Sequence, residues 1–259
     1  LSGSGVLPSG GDVTIAGGTL VLGATSFTAG DLTITSGAIL SSSGVLLGSN
    51  FIINNASDIT IGAILSGTGT TLTKGGAGTL TLSGANTYTG LTTVNGGVLQ
   101  VTHASGLGTT AGGTVVASGA TLYIDGVSIG NESVTLNGGT LSGASASLLG
   151  NIALTANSTI NANTGSLFTL NGVISGTGFG ITKTGEGEVV LNNATTYTGA
   201  TVIDAGTLTV TSGLDDAASV TVSSGATYNL EVSDTVASIG GAGNVTLNSY
   251  TLTVGDATN

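Results

Sequence analysis

The stretch that decides the fold is LSGTGTTLTKGGAGTLTLSGANTYTGLTTVNGGVLQV at 65–101, which returns at 174–210 as ISGTGFGITKTGEGEVVLNNATTYTGATVIDAGTLTV. The two copies align along their whole length without a gap. The only two lysines of the chain, Lys74 and Lys183, are equivalent in this alignment. Internal repetition of this kind predicts an architecture of stacked repeats rather than an ordinary globule.

The composition also departs from that of an ordinary globular domain. Among 259 residues there are 47 glycines, only 6% charged and 3% aromatic residues, and 39% hydrophobic residues. Disorder usually requires low hydrophobicity together with high net charge, so this chain is not of that type. Collagen is excluded because glycine has no three-residue period and proline occurs once. The chain is therefore expected to be ordered.

The net charge of −11 and the absence of cysteine exclude several functions. Nucleic-acid binding depends on lysine and arginine at phosphates, so we expect no nucleic-acid partner. Without cysteine there is no disulfide framework, no thiolate catalysis and no cysteine-ligated metal. No apolar run approaches the ~18 residues of a membrane-spanning helix, and no signal peptide opens the sequence. Repeat-like sequence reaches both ends, which suggests an excerpt of a longer chain.

Short runs of alternating apolar and polar residues with many β-branched side chains predict strands throughout. The runs are found at 13–15, 19–22, 32–35, 59–61, 114–116, 121–124, 134–136, 152–154, 220–222, 245–247 and 251–254. Glycine, asparagine, serine or aspartate separates them, and no window has helical spacing, so helix content should be close to nil. An antiparallel sandwich or a parallel solenoid fits these runs, and the repeat favours the solenoid.

We therefore predict an all-β fold, a single-stranded right-handed parallel β-helix (β-solenoid) continuous over 1–259. A rung of roughly 20 residues gives roughly a dozen rungs. Inward side chains of successive rungs would stack into a dry core, and outward positions would carry threonine, serine and asparagine. Stability then becomes a sum of contacts between neighbouring rungs.

The two long copies resemble the autotransporter-associated β-strand repeat of type V secreted proteins. The matching features are the Ser-Gly-Thr-Gly turn, the Thr-Lys step, the Gly-x-Gly strand, the Thr-Tyr-Thr-Gly turn with its following threonine, and the final Gly-x-Leu strand. A partial third start lies near 239–254. The structural signature that we assign to the repeat is Lys74, Tyr88, Gly90, Lys183, Tyr197 and Gly199.

This resemblance implies a passenger domain outside a Gram-negative cell, exported through an outer-membrane β-barrel translocator that lies beyond this segment. Passengers of this family serve as adhesins, aggregation factors or stalks, and some carry separate enzymatic domains. We expect a non-enzymatic surface stalk, adhesin shaft or self-associating fibre. Its partners would be further copies, through lateral or end-to-end packing, or cell-surface and glycan ligands. A polymerising filament subunit and a glycan-binding or ice-binding solenoid are the alternatives.

No arrangement of residues predicts catalysis, a cofactor or a metal. His103 is the only histidine, with no nucleophile motif nearby, and Asp215-Asp216 is the only adjacent acidic pair. The calcium-binding nonapeptide of β-rolls is absent, and the isolated aspartates are Asp12, Asp31, Asp58, Asp125 and Asp204. Glu186 and Glu188 stand where the first copy has Ala77 and Thr79, so we interpret them as residues of a solvated outer face.

The repeated tyrosines and threonines leave two binding hypotheses open. Tyr88 and Tyr197 could stack on glycans, but aromatic residues specified by a repeat more often pack over their own coil. Lys74 and Lys183 would pair with a carboxylate or a carbonyl group of an adjacent rung. Ice binding would need an aligned two-column face of Thr-x-Thr pairs, and these pairs are irregularly spaced along the chain.

Overall fold

The computed structural model describes residues 10–18, 26–36 and 44–255. In these residues there is no helix, and the regular elements are short strands of two to five residues. The strand predicted at 19–22 lies outside the described residues. Two compact units are formed, Leu1–Tyr123 and Ile124–Asn259, and the division falls within one strand, β13.

The strands of the described residues are β1 (Val13–Ile15), β2 (Phe27–Thr28), β3 (Asp31–Ile34), β4 (Val45–Leu47), β5 (Asn50–Ile53), β6 (Ile59–Ile61), β7 (Ile64–Ser66), β8 (Thr71–Lys74), β9 (Thr79–Leu82), β10 (Thr92–Val94), β11 (Val98–Val101), β12 (Thr114–Ala117), β13 (Thr121–Asp125), β14 (Ser128–Ile129), β15 (Val134–Asn137), β16 (Thr140–Ala144), β17 (Ala146–Leu148), β18 (Ile152–Ala156), β19 (Ser158–Ala162), β20 (Leu167–Leu170), β21 (Ile174–Gly176), β22 (Ile181–Thr184), β23 (Glu188–Leu191), β24 (Thr196–Tyr197), β25 (Thr201–Ile203), β26 (Thr207–Val210), β27 (Ser219–Val222), β28 (Thr227–Leu230), β29 (Asp234–Val236), β30 (Ser238–Gly241), β31 (Asn244–Thr246) and β32 (Leu252–Val254).

In the first unit, the chain contributes strands to three parallel sheets as it coils. Their strand orders are β1-β3-β5-β8-β10-β12, β6-β9-β11 and β2-β4-β7. Each strand pairs with its equivalent one turn later, so that Asp31 lies beside Asn50 and Thr92 beside Thr114. Because every pairing is parallel and made between successive turns, this unit is a β-solenoid.

The second unit repeats this plan with its own strands. The orders are β15-β18-β21-β24, β16-β19-β22-β25-β27-β30, β14-β17-β20-β23-β26-β28-β31 and β29-β32. All described pairings are parallel, and the turns differ in length, from the short step between Thr227 and Asn244 to the longer one between Ser158 and Ile181. The described strands make up about 12 turns of solenoid, which confirms the predicted all-β parallel fold. The right-handed sense and the single continuous domain over 1–259 stay predictions.

The core of each unit is built by alternation along the strands. In β8 and β9 every second side chain is buried, and parallel pairing aligns that side chain with buried residues in the turns before and after. The inner column through β8 runs Ile34, Ile53, Lys74 and Val94. Burial at about 25 cal/mol per Å² of apolar surface stabilises each turn against its neighbours.

The outer threonines do not form an aligned two-column face in the sheets of the first unit. One outward column of β1, β3, β5, β8 and β10 consists of Thr14, Thr33, Ile52, Thr73 and Thr93. The neighbouring column, through β3, β5 and β8, consists of Asp31, Asn50 and Thr71. The Thr-x-Thr pair of β9 is likewise followed by Val98 and Gln100 in β11. The register therefore argues against the ice-binding alternative for these sheets.

Candidate functional site

The two lysines of the repeat signature lie inside the coil. Lys74 and Lys183 are on the inner faces of β8 and β22, and both side chains are 0% exposed. The turns before and after place aliphatic residues at the same positions, which are Ile53 and Val94 for Lys74. A lysine therefore replaces one aliphatic member of an otherwise dry column in each unit.

Each ammonium group reaches the corner between two strands and donates hydrogen bonds to main-chain carbonyl oxygens. The Nζ of Lys74 donates to Gly75 and, at 3.0 Å each, to Gly76 and Gly96. Both Gly76 and its counterpart Gly185 have positive φ, of 65° and 74°, a conformation that favours glycine. The pairing partner is thus the carbonyl group, one of the two partners predicted from the sequence.

The second corner repeats the first almost atom for atom. The Nζ of Lys183 donates to the carbonyl oxygens of Thr184 at 3.0 Å, Gly185 at 2.7 Å and Ala205 at 2.9 Å. Burial lowers the pKa of Lys74 and of Lys183 to about 8 each, and the charge of Glu186 opposes this shift at Lys183. Three acceptors satisfy the three N–H groups of each ammonium, which is what a buried charge requires.

The repeated tyrosines are also internal. Tyr88 and Tyr197 are 0% exposed, and their hydroxyl groups hydrogen-bond the Oγ1 atoms of Thr92 and Thr201 at 2.8 and 2.6 Å. Burial raises the pKa of Tyr197 above its ordinary value. Phe51 meets the ring of Tyr88 edge-on with centroids 6.4 Å apart. Neither tyrosine ring is available to stack on a glycan in this conformation.

The two signature glycines allow one turn to approach the next. A Cβ atom on Gly90 would lie 2.4 Å from the carbonyl oxygen of Thr70, and one on Gly199 would lie 2.2 Å from the carbonyl carbon of Phe179. Glycine is needed at these positions because the two backbones approach closely, and not because of backbone conformation, since neither glycine has positive φ. Gly90 and Gly199 donate backbone hydrogen bonds across the same gap, at 2.9 Å each.

Sequence reasoning did not assign several further contacts that hold the repeat. The hydroxyls of Thr89 and Thr198 accept hydrogen bonds from the amides of Gly69 and Gly178 in the Ser-Gly-Thr-Gly turns, at 2.7 and 2.8 Å. The bonds from Tyr88 and Tyr197 to their threonines were missed in the same way. The presence of these threonines at equivalent positions of both copies was the signal that could have found them.

A buried carboxylate in the second unit was also missed. The hydroxyl of Tyr228 donates to Asp234 Oδ2 at 2.7 Å, and the amide of Leu214 donates to Asp234 Oδ1 at 3.1 Å. Tyr228 is 0% and Asp234 is 7% exposed. Burial, together with this carboxylate, raises the pKa of Tyr228. The pair lies outside the two repeat copies, so no recurrence marked it.

The acidic and imidazole candidates do not come together. Nδ1 of His103 accepts a bond from the amide of Ser105 at 3.0 Å, and Asp215 Oδ1 accepts one from the amide of Ala217, also at 3.0 Å. Asp58 accepts a bond from the amide of Thr79, which lowers the pKa of Asp58. Within residues 10–18, 26–36 and 44–255, no three histidine or acidic side chains cluster to hold a metal ion.

The two glutamates of the second copy lie on the outer face, unlike the buried lysines and tyrosines of the repeat signature. Glu186 is exposed, and Glu188 accepts a hydrogen bond from the hydroxyl of Thr209, in the next turn, at 2.6 Å. The described residues also contain no helix long and apolar enough to cross a membrane. The lysine corners hold neighbouring turns to one another.

Comparison with known proteins agrees with this geometry. The model of the passenger-associated-transport-repeat family matches residues 72–101 and 181–210, which end where the two copies end. The adhesin BmaC autotransporter of Brucella suis biovar 1 (strain 1330) is 37% identical over 193 residues, or 70% of this chain. The chain spans about 5% of the length of that relative. No solved structure matches.

These matches correspond to the parts of the molecule described above. The family model covers β8 to β11 and β22 to β26, which include both lysine corners and both tyrosine–threonine pairs. The similarity to the adhesin autotransporter spans 193 residues and therefore includes residues outside these stretches. The repeats, this similarity and the solenoid fold together identify the chain as part of an autotransporter passenger domain.

Proposed function

We propose that this chain is a secreted, surface-exposed segment of an adhesive passenger, and that it acts as the shaft that carries or supports the adhesive surface. The observation that carries this proposal is the use of the repeat signature. Lys74 and Gly90 form contacts between turns, and the buried Tyr88 hydrogen-bonds Thr92 within its own turn. Their counterparts in the second copy do the same. The lysines and tyrosines of the repeat, which a ligand site could use, thus stabilise the coil instead.

A non-enzymatic role fits the same observations. The described carboxylates are mostly engaged one by one, as Asp58 is with Thr79 and Asp204 is with Ser223. General acid–base chemistry on glycans needs two carboxyl groups facing one bond, roughly 5 to 10 Å apart. The similarity to an adhesin supports the same proposal. We assign no cofactor to this segment.

The outer faces suggest the class of partner. They carry threonine, serine and asparagine, and side chains on successive turns hydrogen-bond each other, as Asn192 Nδ2 does with Asn171 Oδ1 at 2.9 Å. Such polar faces can pack against a second copy of the passenger. We propose that the partners of the passenger are cell-surface glycans, bound by the adhesive surface that this segment supports, or further copies of the passenger, at the surface of a Gram-negative bacterium.

The test uses the passenger displayed on bacteria, with and without residues 44–255. In the shaft proposal, deletion reduces adhesion to host cells, whereas the purified segment neither binds those cells nor competes for adhesion. Competition by the purified segment would instead make it the recognition region. Filaments of the purified segment in electron micrographs would make it a polymerising subunit. Hydrolysis of a surface glycan by the segment would overturn the non-enzymatic proposal.

A further inference from the structure

The buried lysines show an asymmetry between the turn that contains them and the turn that follows. Two of the three acceptors of Lys74, Gly75 and Gly76, belong to its own corner. The third, Gly96, lies further along the chain and belongs to the next turn. Lys183 has the same division, with Ala205 as the acceptor from the following turn.

The preceding turn makes no corresponding contribution to the ammonium group. It supplies an aliphatic neighbour in the column, Ile53 for Lys74 and Ile160 for Lys183, and those side chains have no acceptor. The contacts made by Nζ are thus directed toward the C-terminal neighbour. Since this arrangement occurs in both units, it is a property of the repeat.

The charge makes this direction matter. An ammonium group has three N–H donors, and two carbonyls of its own corner leave one donor without a partner. Burying a charged group with an unsatisfied donor is strongly unfavourable. The group can be completely desolvated only when the following turn has docked and has brought its carbonyl. Until then water must reach the corner.

We propose that Lys74 and Lys183 are latches, each of which closes its corner only when the next turn docks. The latch couples burial of the lysine-bearing turn to the turn on its C-terminal side and leaves the N-terminal side uncoupled. This inference does not depend on the adhesive role, and it assigns the repeat a conformational device that orders the docking of turns.

Native-state hydrogen exchange of the full chain tests this direction. Two amides report the following side of the first corner, because Asn95 donates to the carbonyl of Lys74 at 2.8 Å and Val98 donates to Gly78 at 3.3 Å. Two others report the preceding side, because Gly75 donates to Ile53 at 2.8 Å and Gly78 donates to Asn55 at 3.0 Å.

The variant is Lys74→Met, which keeps the unbranched stem and removes the charge and its three donors. We expect Asn95 and Val98 to exchange at least about tenfold faster, the change expected for loss of a hydrogen bond from a charged group. Gly75 and Gly78 should change less than about twofold. Leu72→Met is the matched control, since Leu72 is also buried in β8 and this substitution nearly conserves side-chain volume.

Equal acceleration on both sides, or none, would show that Lys74 is only a packed member of the core and would overturn the latch. Lys183→Met repeats the test in the second unit, with Asp204 and Thr207 on the following side and Gly187 on the preceding side. If one variant fails to fold, the other decides the proposal, because the two corners lie in different compact units.

Discussion

The two repeat copies share a set of buried hydrogen-bonding residues and differ in their outer side chains. Lysine, tyrosine and the threonine that bonds the tyrosine occupy equivalent buried positions and have equivalent hydrogen-bond partners. The outer side chains differ, because Glu186 takes the place of Ala77. In this molecule the repeat therefore specifies the buried contacts within and between turns, and the surface of each copy can vary without changing the coil.

Among the buried positions that differ between the copies, the position of Asn86 and Thr195 carries hydrogen bonds between turns. Asn86 accepts a hydrogen bond from the amide of Leu65 at 2.9 Å and donates to the carbonyl of Gly106 at 2.6 Å, so its side chain links three successive turns. The second copy has Thr195, whose hydroxyl accepts one bond from the amide of Asp215 at 3.2 Å. The comparison predicts that the first copy depends more strongly on this corner.

The largest effect should come from the close-approach glycines. Gly199→Ala would place a Cβ atom within 2.2 Å of backbone atoms, and Gly90→Ala within 2.4 Å. We expect each variant to lose about 3 kcal/mol or more of unfolding free energy in urea titrations. Gly130→Ala is the control, because nothing lies within 4 Å of its added Cβ. Equal stability of Gly199→Ala and the control would show that the turns do not approach so closely.

The next effect tests the buried difference between the copies. Asn86→Leu removes two hydrogen bonds between turns and should cost about 2 kcal/mol, whereas Thr195→Val removes one and should cost about 1 kcal/mol. Urea titration combined with hydrogen exchange at the amides of Leu65 and Asp215 measures both. A larger loss for Thr195→Val than for Asn86→Leu would reverse the comparison.

A smaller and similar effect is expected for the two tyrosines. Tyr88→Phe and Tyr197→Phe leave the rings in place and remove the hydroxyl partner of Thr92 and Thr201. Each should cost about 1 kcal/mol of unfolding free energy. Adding Thr92→Val to Tyr88→Phe should recover part of the loss, since no polar atom is then left buried without its partner. If Tyr88→Phe and the double variant are both as stable as the parent chain, the hydroxyl pair contributes nothing.

The pH dependence of stability should be the smallest difference. Burial holds the pKa of both lysines at about 8 in the fold, below the ordinary value of 10.5. Between these values the unfolded chain binds more protons, so unfolding free energy should rise with pH. The slope of unfolding free energy against pH should stay below about 1.4 kcal/mol per pH unit for each lysine. A neutral amine has too few N–H donors for the three carbonyl groups, and the lost hydrogen bond offsets part of the gain.

The useful window for this measurement is pH 8 to 9.5. Above it, tyrosines of the unfolded chain ionise near pH 10, whereas burial raises the pKa of Tyr197 and Tyr228 in the fold, so stability should fall. The Lys74→Met/Lys183→Met double variant should lose the rise below pH 9.5 and keep the fall above pH 10. An unchanged rise in the double variant would assign it to other groups.

The fold could be predicted from sequence because the solenoid obeys two periods at once. Alternation along each strand marks the inward side chains, and the ungapped return of 65–101 at 174–210 shows that whole turns recur. Parallel pairing of equivalent strands then follows, since only stacking of successive turns buries these short apolar runs. The glycine-rich corners accommodate differences in turn length. Strands therefore pair in parallel both across the short turn from Thr227 to Asn244 and across the longer turn from Ser158 to Ile181.

The surroundings of the two lysines could not be predicted from the sequence in the same way. A lysine in a strand of alternating threonine and leucine is usually expected outside, and only its phase with Leu72 indicates that Lys74 points inward. The carbonyl partners depend on the bend of a glycine corner, which side-chain patterns do not report. Asp234 was missed for a related reason, because its partners Tyr228 and Leu214 meet it only through stacking of turns.

The buried tyrosines also give each unit its own optical label. The chain has no tryptophan and five tyrosines, so its near-ultraviolet circular dichroism comes almost entirely from tyrosine. Tyr88 is fixed in the core of the first unit, Tyr197 and Tyr228 are fixed in the second, and Tyr250 is 41% exposed. Rigid, asymmetric surroundings produce the strong signals. Melting curves of single tyrosine-to-phenylalanine variants can therefore separate the loss of packing in one unit from that in the other without an introduced probe.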